Sequence, residues 1–278
     1  MPELPEVEIA ARSIRAWTVG RRIVRCEADP RARRMFRPDT PGAIETACTG
    51  ARVISVERHG KQLLITLSPT GRPRARIGLL AHLGMSGKWV RRAPGEVVTS
   101  SRMRWHLDDG HVVHDRDPRM FGRVRIIPDA RFDEVEDLLA LGPDPLRHGI
   151  DHEVWRERFG ATKRAIKVVL LDQSVAAGVG NIQAIEGLFR ARIDPRRKAA
   201  TLTRTEIRRL ADAVLASIRD TLAVHEGSEI SYVEEAGAPN PFVIYGRAGI
   251  PCPRCKAGTI RRIVQAQRST YFCPRCQK

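Results

Sequence analysis

The chain has 278 residues, of which 42% are hydrophobic and 29% are charged, and its 48 Lys and Arg residues against 32 Asp and Glu give a formal net charge of +16. This length is sufficient for two domains or for one domain with a small module. The basic excess favours a polyanionic partner such as nucleic acid, with an Arg-rich proteome as the alternative explanation. Because the sequence contains no apolar run of 18 residues and no signal-peptide pattern at its start, we expect neither a membrane span nor secretion.

The first eight residues, MPELPEVE, place a proline directly after the initiator Met. Removal of Met1 leaves a secondary amine at Pro2, and because an α-amino group has a pKa of about 8, part of this amine is unprotonated at neutral pH. Such an amine attacks a sugar C1′ and forms a Schiff base, with Glu3 and Glu6 as proton carriers. The same residues also suit an ordinary helix start, because proline and early carboxylates are favoured in the first turn.

The first half of the chain predicts one helix followed by short strands. Apolar residues at helical spacing, from Val7 to Trp17, predict a helix over residues 3–18 that ends at Gly20. Asp109-Gly110 predicts the turn of a β-hairpin. Because the strands follow one another without intervening helices, we expect a sandwich or barrel-like β domain. The predicted strands cover residues 23–26, 52–57, 61–67, 75–80, the hairpin 103–115, and 123–127.

The second half predicts helices. A short helix over residues 132–141 leads into Gly142-Pro143-Asp144-Pro145, which cannot continue a helix and marks a domain boundary. A long helix is expected over residues 204–225, with Thr203 and Glu206 spaced as a capping box, and residues 226–244 are loop-like. Other helices are predicted over residues 151–159, 165–171 and 182–190. The expected fold class is α+β multidomain, with domains at residues 1–130, 131–235 and 236–278.

Four of the six cysteines form two C-x2-C pairs, Cys252-Pro-Arg-Cys255 and Cys273-Pro-Arg-Cys276, separated by seventeen residues. This spacing predicts a structural Zn²⁺ site with four thiolates, which leaves no coordination position for substrate. Such cysteine usage favours a reducing cytoplasm over a secreted disulfide framework. Arg261, Arg262 and Arg268 lie between the pairs, which favours phosphate binding over a zinc ribbon used for protein contact.

Two other features suggest phosphate contacts without establishing them. The stretch AGVGN at residues 177–181 precedes an apolar helix, where backbone N–H groups and Asn181 suit a DNA phosphate, although a tight helix–helix turn is an equal alternative. Lys61 stands at the start of an apolar strand. A single lysine in this position is usually solvated.

Two glycine-containing loops carry side chains suited to DNA distortion. The loop at residues 82–87 displays Met85, and the loop at residues 117–122 displays Arg119 and Phe121. Apolar and Arg side chains on tight loops are what base extrusion requires, because something must fill the gap in the base stack. Burial of Met85 and Phe121 in a core is the simpler alternative.

These motifs together closely resemble the formamidopyrimidine-DNA glycosylase and endonuclease VIII family of bacterial base-excision repair. The resemblance runs from end to end of the chain, and Leu4 and Val7 are similar to the formamidopyrimidine branch. It rests on the motifs PELPEVE at 2–8, KQLL at 61–64, HLGMSG at 82–87, DPRMFG at 117–122, GVGNI at 178–182, YGR at 245–247, AQRSTY at 266–271 and the four-cysteine finger.

The resemblance implies an N-terminal β-sandwich, a helix–two-turns–helix domain and a zinc finger. The implied protein is a monomer that acts on damaged double-stranded DNA in the bacterial cytoplasm, associated with the nucleoid. The implied reaction is removal of an oxidised base, followed by β- and δ-elimination through a Pro2 Schiff base. The implied roles are Pro2 as nucleophile, Glu3 as acid/base with Glu6 as possible support, Lys61 and Arg268 as phosphate and elimination contacts, Lys167 and Asn181 as backbone contacts, and Met85, Arg119 and Phe121 as void-filling side chains.

The sequence departs from the family pattern at three places. Met120 replaces the second Arg of the DPRRF motif, and Thr99-Ser-Ser-Arg102 resembles the endonuclease VIII branch. The segment Gly227–Tyr245, which covers flipped 8-oxoguanine in the family, is short, so formamidopyrimidines, hydantoins or oxidised pyrimidines are alternative substrates. The functional alternatives are an endonuclease VIII-like glycosylase, a lyase acting mainly on abasic sites, and a catalytically silent protein that binds damaged DNA.

Overall fold

The computed structural model describes residues 2–224, 229–230, 232–233, 235 and 237–278. The chain folds as two compact units. Unit 1 comprises Met1–Pro2, Glu6–Leu139 and His225–Glu235, and unit 2 comprises Glu3–Pro5, Ala140–Val224 and Ala236–Lys278. Within the described residues, no helix is both long and apolar enough to cross a membrane.

Unit 1 is built mainly from two four-stranded antiparallel sheets. The strands are β1 Ile23–Ala28, β2 Arg52–His59, β3 Gln62–Ser68, β4 Ile77–His82, β5 Lys88–Arg92, β6 Ser101–Leu107, β7 Val112–Arg116 and β8 Arg123–Pro128. The strand orders are β1-β6-β7-β5 and β2-β3-β4-β8. Burial alternates along β2, β3 and β6, as expected for strands with one face in a core. The predicted β-sandwich and the hairpin at Asp109-Gly110 are therefore confirmed.

The first helix, α1 (Leu4–Thr18), matches the prediction, and Val7 and Ile14 are fully buried while Trp17 is only partly buried. The expectation that the first strands follow one another without helices is wrong. A 3-10 helix (Pro30–Phe36) and the helix α2 (Pro41–Cys48) lie between β1 and β2, and Thr40 caps α2. The sequence reading also missed β5, because a five-residue strand with three cationic side chains shows no alternation.

The predicted helix over residues 132–141, at the end of unit 1, is instead a 3-10 turn (Phe132–Glu134) followed by the short helix α3 (Glu136–Leu139).

Unit 2 is mainly helical. The capping box is confirmed: Thr203 N donates to Glu206 Oε2 at 2.8 Å, and Glu206 N donates to Thr203 Oγ1 at 3.2 Å. The helices are α4 Pro145–His148, α5 His152–Gly160, α6 Ile166–Leu170, α7 Asn181–Arg190 and α8 Arg204–Val224.

The centre of unit 2 is α7, which is buried along almost its whole length. A Cβ on Gly187 would lie 2.5 Å from Val214, so the absence of a side chain allows α7 and α8 to approach closely. The helix α8 has one apolar stripe, which is buried and consists of Ile207, Leu210, Val214, Ile218 and Leu222. Residues on one side of α7 also contact the C-terminal module, since Ile185 and Phe189 share a buried cluster with Cys252 and Cys273.

The C-terminal module is a two-stranded hairpin of β9 (Arg261–Gln265) and β10 (Arg268–Phe272). Its two-residue turn, Ala266-Gln267, has positive φ at both positions, 47° and 59°, as a hairpin turn of this length requires. Arg268 is the first residue after this turn. The segment between the cysteine pairs is therefore a hairpin, and it carries Arg261, Arg262 and Arg268.

Candidate active site

The carboxylate of Glu3 caps the N-terminus of α7. Glu3 Oε1 accepts the backbone N–H of Ile182 at 2.8 Å, and Oε2 accepts that of Gln183 at 3.0 Å. The first N–H groups of a helix have no partner within the helix and favour an anion. The N-terminus of α7 therefore binds an anion, as the sequence suggested, but the two donors belong to the helix rather than to the glycine-containing stretch, and the anion is an internal carboxylate rather than a DNA phosphate.

Gly178 and Gly180 make room for the N-terminal residues. A Cβ on Gly180 would lie 2.1 Å from Glu3 Cδ, and a Cβ on Gly178 would lie 2.8 Å from Leu4 Cβ. Leu4 N donates to Gly178 O at 3.0 Å, which ties the start of α1 to the same stretch. Glu3 is only 2% exposed. The packing therefore holds this carboxylate in one position.

Two cations and an amide lie around the same helix end. Lys167 is fully buried, and its Nζ has no hydrogen-bond partner among the described residues. Burial, together with the charge of Arg268, lowers the pKa of Lys167 to about 8, although the charge of Glu3 acts in the opposite direction. Asn181 Nδ2 donates to Ser269 O at 3.0 Å, and Asn181 Oδ1 is buried without a partner in the described chain.

This arrangement in unit 2 brings four of the sequence-predicted residues together: Glu3, Lys167, Asn181 and Arg268. A buried ammonium without an internal partner is costly unless a ligand supplies the counter-charge. Lys167 and Arg268 are cations, so the chemistry of the missing partner is that of an anion such as a phosphodiester. The sequence by itself did not indicate that Lys167 would be buried.

The other catalytic candidates belong to unit 1. Pro2 is buried and is linked to Glu3 by a peptide bond, and Glu6 is 6% exposed in α1. Lys61 is half-buried before β3. His82 lies near Lys61: burial, together with the charges of Lys61 and Arg123, lowers the pKa of His82 to about 4, so the imidazole is neutral at pH 7.

The two loops expected to distort DNA are exposed, so the alternative that they fill a core is wrong. Met85 is 39% exposed and Phe121 is 53% exposed, and the Arg119 guanidinium lies 4.9 Å from the centre of the Phe121 ring. Both loops are held close together at their bases. A Cβ on Gly84 would lie 2.4 Å from the Phe121 carbonyl carbon, so only glycine fits there.

A buried carboxylate that the sequence analysis did not single out connects these loops. Asp117 Oδ1 accepts from Ser86 Oγ at 3.0 Å and from Arg119 N at 3.1 Å, and Oδ2 accepts from Gly122 N at 2.7 Å. Asp117 is fully buried. Because Asp117 is the first residue of the DPRMFG motif, the sequence showed that it lies next to Arg119 and Phe121. The sequence did not show its hydrogen bond to the other loop.

The residues that depart from the family pattern have unusual backbone conformations. Ser100 and Met120 have positive φ values of 61° and 54°, and Met120 is 37% exposed on the same loop as Phe121. The segment Gly227–Tyr245, which was expected to be short, lies in part outside the described residues. Its described part contacts the start of β5 and the residue before it: Tyr232 Oη donates to Gly87 O at 2.5 Å, and Lys88 Nζ donates to Ile230 O at 3.2 Å.

Glu186 on α7 is a second buried carboxylate that was not predicted from the sequence. Its oxygens accept the backbone N–H groups of Val243, Ile244 and Tyr245 at 2.9 to 3.0 Å. Arg254 of the finger lies over the Phe189 ring at 4.4 Å and donates to Phe189 O at 2.6 Å. These contacts attach the finger to α7, and so they position Arg268 relative to the helix that begins at Asn181.

The four cysteine ligands fit a zinc ion. All four Sγ atoms lie within 4.8 Å of one another, with 3.7 Å between Cys252 and Cys276 and 3.8 Å between Cys255 and Cys273. Tetrahedral coordination at a Zn–S distance of about 2.3 Å places sulfur atoms about 3.8 Å apart. The module therefore holds one structural Zn²⁺, and the four thiolates fill its coordination sphere.

The β-sandwich, the helical unit with its buried cation and the zinc finger with exposed arginines define a zinc-finger protein suited to bind nucleic acid. Family models match all three regions: the formamidopyrimidine-DNA glycosylase N-terminal domain over residues 1–124, its H2TH domain over 141–232, and the zinc finger found in FPG and IleRS over 249–278. The chain belongs to the formamidopyrimidine-DNA glycosylase family.

Individual relatives agree over the full length. The formamidopyrimidine-DNA glycosylase of Rhodospirillum centenum is 38% identical over 299 aligned residues, covering 100% of both chains. The crystal structure of MutM (Fpg) from Thermus thermophilus has a TM-score of 0.79 at 36% identity, covering 99% of this chain and 98% of that one. Wild-type Lactococcus lactis Fpg, in complex with DNA containing N7-benzyl-Fapy-dG, has a TM-score of 0.85 at 29% identity, covering 100% of both chains.

Proposed function

We propose that this chain is a bifunctional base-excision repair enzyme that removes oxidised bases and cleaves the resulting abasic site through a Schiff base on Pro2. The observation that carries the proposal is the position of Glu3, the residue next to Pro2. Its carboxylate is held by two backbone N–H groups of α7 and lies within electrostatic range of the buried Lys167. Once Met1 is removed, the Pro2 amine thus has the fixed Glu3 carboxylate as its immediate neighbour.

In this mechanism the Pro2 amine attacks C1′ of the damaged nucleotide, and the bond from C1′ to the base breaks. Glu3 accepts the proton that the Pro2 nitrogen releases when it bonds to C1′ and passes it on to open the sugar and help expel the base, with Glu6 as a possible further proton carrier. The product is an iminium between Pro2 and C1′, which acidifies the C2′ proton. Loss of that proton expels the 3′ phosphate, and a second elimination expels the 5′ phosphate, leaving a one-nucleotide gap.

Several cationic and polar residues are assigned to the DNA backbone. Lys167, Asn181 and Arg268 are assigned to a phosphate beside the lesion, because they lie around one helix end where the buried Lys167 Nζ, a donor, has no partner among the described residues. Lys61 is assigned to phosphate contact and proton transfer during elimination, and Arg268 also to the second elimination. These contacts predict that DNA affinity falls steeply with salt.

The exposed side chains Met85, Arg119 and Phe121 are assigned to the base stack. A base inside a duplex is out of reach of Pro2, and extrusion costs a few kcal/mol. Apolar wedges that enter the vacated space offset this cost. Their exposure and the close joining of their two loops support this role.

Formamidopyrimidines are the proposed main lesions. The Lactococcus lactis relative named above was crystallised with a formamidopyrimidine-containing duplex, and the full-length relative carries the same substrate in its name. The 8-oxoguanine and hydantoin lesions are further candidates, and oxidised pyrimidines are the alternative that the Thr99-Ser-Ser-Arg102 stretch suggests.

The remaining assignments follow from the same family. We place the catalytic β-sandwich domain at residues 1–130, the helix–two-turns–helix domain at 131–235 and the zinc finger at 236–278. The proposed protein is a monomer in the bacterial cytoplasm, associated with the nucleoid. Its partner is damaged double-stranded DNA.

The test is borohydride trapping on labelled duplexes that contain an abasic site, a formamidopyrimidine, 8-oxoguanine, a hydantoin or an oxidised pyrimidine. Borohydride reduces the iminium to a stable amine, so the wild-type protein is expected to form a covalent band that Pro2→Gly does not form. The lesion that traps best identifies the substrate class. If no duplex is trapped while DNA binding remains salt-dependent, the enzyme is instead a silent damage-binding protein.

A further inference from the structure

A cationic groove of about 740 Å³ lies on unit 1 beside the exposed Met85 and Phe121. The proposed function does not use it. Its charged lining consists of three arginines (Arg37, Arg123 and Arg125) and one carboxylate (Asp137), and its floor includes Gln62, Leu80 and His82. We call it the arginine groove.

The strand register explains why these side chains share one face. Gln62, His82 and Arg123 are direct partners across β3, β4 and β8, and Leu80 is the partner of Arg125 in the next row of this face. Residues two apart on a strand point to the same side of a sheet. Side chains of the intervening residues, such as Ala81 and Val124, are buried at 2% exposure on the other side. The groove is therefore the outer face of this sheet.

The third arginine reaches the groove from a different part of the chain. Arg37 follows the 3-10 helix Pro30–Phe36, and Asp39 two residues later fixes this segment to the sheet: Asp39 Oδ2 accepts the backbone N–H of Ile126 on β8 at 2.8 Å. Ile126 lies between Arg125 and the end of the edge strand. The anchor therefore places Arg37 along the edge of the face that carries Arg123 and Arg125.

The groove has a positive potential at neutral pH. Arg125 donates to Asp137 at 2.9 Å, and this pair neutralises one of the three arginines. Arg37 and Arg123 are exposed. The low pKa of His82, about 4, has three causes: burial, and the charges of Lys61 and Arg123. Arginine is suited to phosphate because its planar guanidinium donates two parallel hydrogen bonds.

We infer that the arginine groove binds the phosphodiester backbone of the DNA strand opposite the lesion. The inference rests on the proposed function, because it takes Met85 and Phe121 as the side chains that enter the base stack. Both of them line the groove, so a duplex seated on them also lies over its arginines. The residues assigned to the lesion strand, such as Lys61, do not line it. The strand whose base stays in the helix therefore passes over Arg123 and Arg37.

The experiment compares Arg37→Gln/Arg123→Gln with a matched control, Arg72→Gln/Arg74→Gln. The control removes two exposed arginines from the β3–β4 connection, at the far end of β4. The probe is a duplex with a tetrahydrofuran abasic analogue, and its Kd is measured from 50 to 300 mM salt. Losing two phosphate contacts is expected to lower the slope of log Kd against log salt by about two, with a Kd at 150 mM raised about tenfold. The control is expected to keep the wild-type slope.

Two chemically modified duplexes identify the strand. One carries neutral methylphosphonate linkages around the lesion position in the complementary strand, and the other carries them in the lesion strand. The difference in salt slope between the Arg37→Gln/Arg123→Gln variant and the wild-type protein is expected to disappear on the first duplex and to persist on the second. Persistence on the first duplex, or an unchanged salt slope on unmodified DNA, overturns the inference. Thermal melting establishes that both variants fold.

A single Arg125→Gln variant serves as a further control. It leaves Arg37 unchanged, and with it the segment that Asp39 attaches to the sheet. It is expected to change the salt slope by less than the double variant, because Arg125 is already paired with Asp137. Borohydride trapping of the wild-type protein separates the two proposals. If it forms no adduct while the methylphosphonate pattern holds, the catalytic proposal fails and the groove stands. If the wild-type protein forms an adduct and the methylphosphonate pattern is absent, the groove proposal fails and the catalytic proposal stands.

Discussion

Gln183 donates its backbone N–H to Glu3 Oε2 at 3.0 Å, although the two residues are 180 positions apart in the chain. Together with the bond from Ile182, this contact turns the positive end of α7 toward the carboxylate next to Pro2. Glu3 is thus fixed by a helix that belongs to a different region of the sequence. The accuracy of its position depends on Gly180, whose missing side chain provides the space.

Gly180→Ala is expected to lower the base-excision rate about 100-fold, because a Cβ would lie 2.1 Å from Glu3 Cδ and displace the carboxylate. The matched control is Gly160→Ala in the same unit, where a Cβ meets nothing within 4 Å. Single-turnover kinetics on a formamidopyrimidine duplex measure the effect. Equal rates for the two variants would show that the position of Glu3 does not limit the reaction.

Lys167 is expected to make DNA affinity depend on pH. Because burial lowers its pKa to about 8, the ammonium is charged below that pH and becomes neutral as the pH rises through it. A charged hydrogen bond to phosphate is worth about 1.5–3 kcal/mol, so the Kd for abasic-analogue DNA is expected to rise about tenfold between pH 7 and pH 9.5. Lys167→Arg stays charged over this range and is expected to flatten the profile. A variant with the wild-type profile would assign the pH dependence to another group.

Asp115 is expected to lower the stability of the protein as pH rises. Burial raises its pKa to about 7, and the nearby charge of Asp117 acts in the same direction. The unfolded chain releases this proton near pH 4, whereas the folded protein holds it until about pH 7, so stability falls between these values. Asp115→Asn is expected to raise Tm by more at pH 8 than at pH 5. Identical gains at both pH values, in thermal melts, would contradict the raised pKa.

Asp117→Ala is expected to separate base extrusion from chemistry. The change removes both acceptor oxygens, so the bond from Ser86 that joins the two loops is lost, together with the bonds from Arg119 and Gly122 within one loop. The loops that carry Met85 and Phe121 then move independently. Excision of a stacked lesion is expected to slow about tenfold more than cleavage of a preformed abasic site, and exposed Asp133→Ala serves as the control. A uniform loss on both substrates would indicate general destabilisation instead.

Zinc loss is expected to disable the finger. The hairpin has little core of its own, so its fold depends on the metal. Metal analysis is expected to find one zinc ion per chain, and Cys276→Ser is expected to lose it together with most of the DNA affinity, since β10 carries Arg268. Cys26→Ser, at a buried free cysteine in unit 1, is the control and is expected to retain the zinc. Full affinity in a zinc-free Cys276→Ser protein would mean that Arg268 contributes nothing to binding.

Some elements were predictable because their signals are local. The capping box at Thr203 and Glu206, the hairpin turn at Asp109-Gly110 and the paired cysteines each lie within a few residues of the partners that they require. No helix was predicted at α2, although Thr40 and Pro41 form a usable start signal, because its eight residues are too few to show a clear helical periodicity.

Long-range polar contacts were not predictable in the same way. Asp117 and Glu186 look like ordinary acidic residues in the sequence, and nothing near them indicates that they are buried acceptors for two or three donors. The same is true of Lys167, which reads as a surface cation. Burial is decided by elements from distant parts of the chain, and a single sequence carries no information on which elements meet.

The sequence by itself determined the chemistry that this protein carries: a proline amine after Met1, a neighbouring carboxylate, a four-thiolate metal site and a large basic excess. These follow from residue type and short spacing. Only the tertiary structure decided that the start of α7 holds Glu3, that Asp117 joins the two exposed loops, and that Arg37 lies beside Arg123. The physical reason is that hydrogen bonds and electrostatic fields act over a few ångströms in space, however far apart the residues are in the chain.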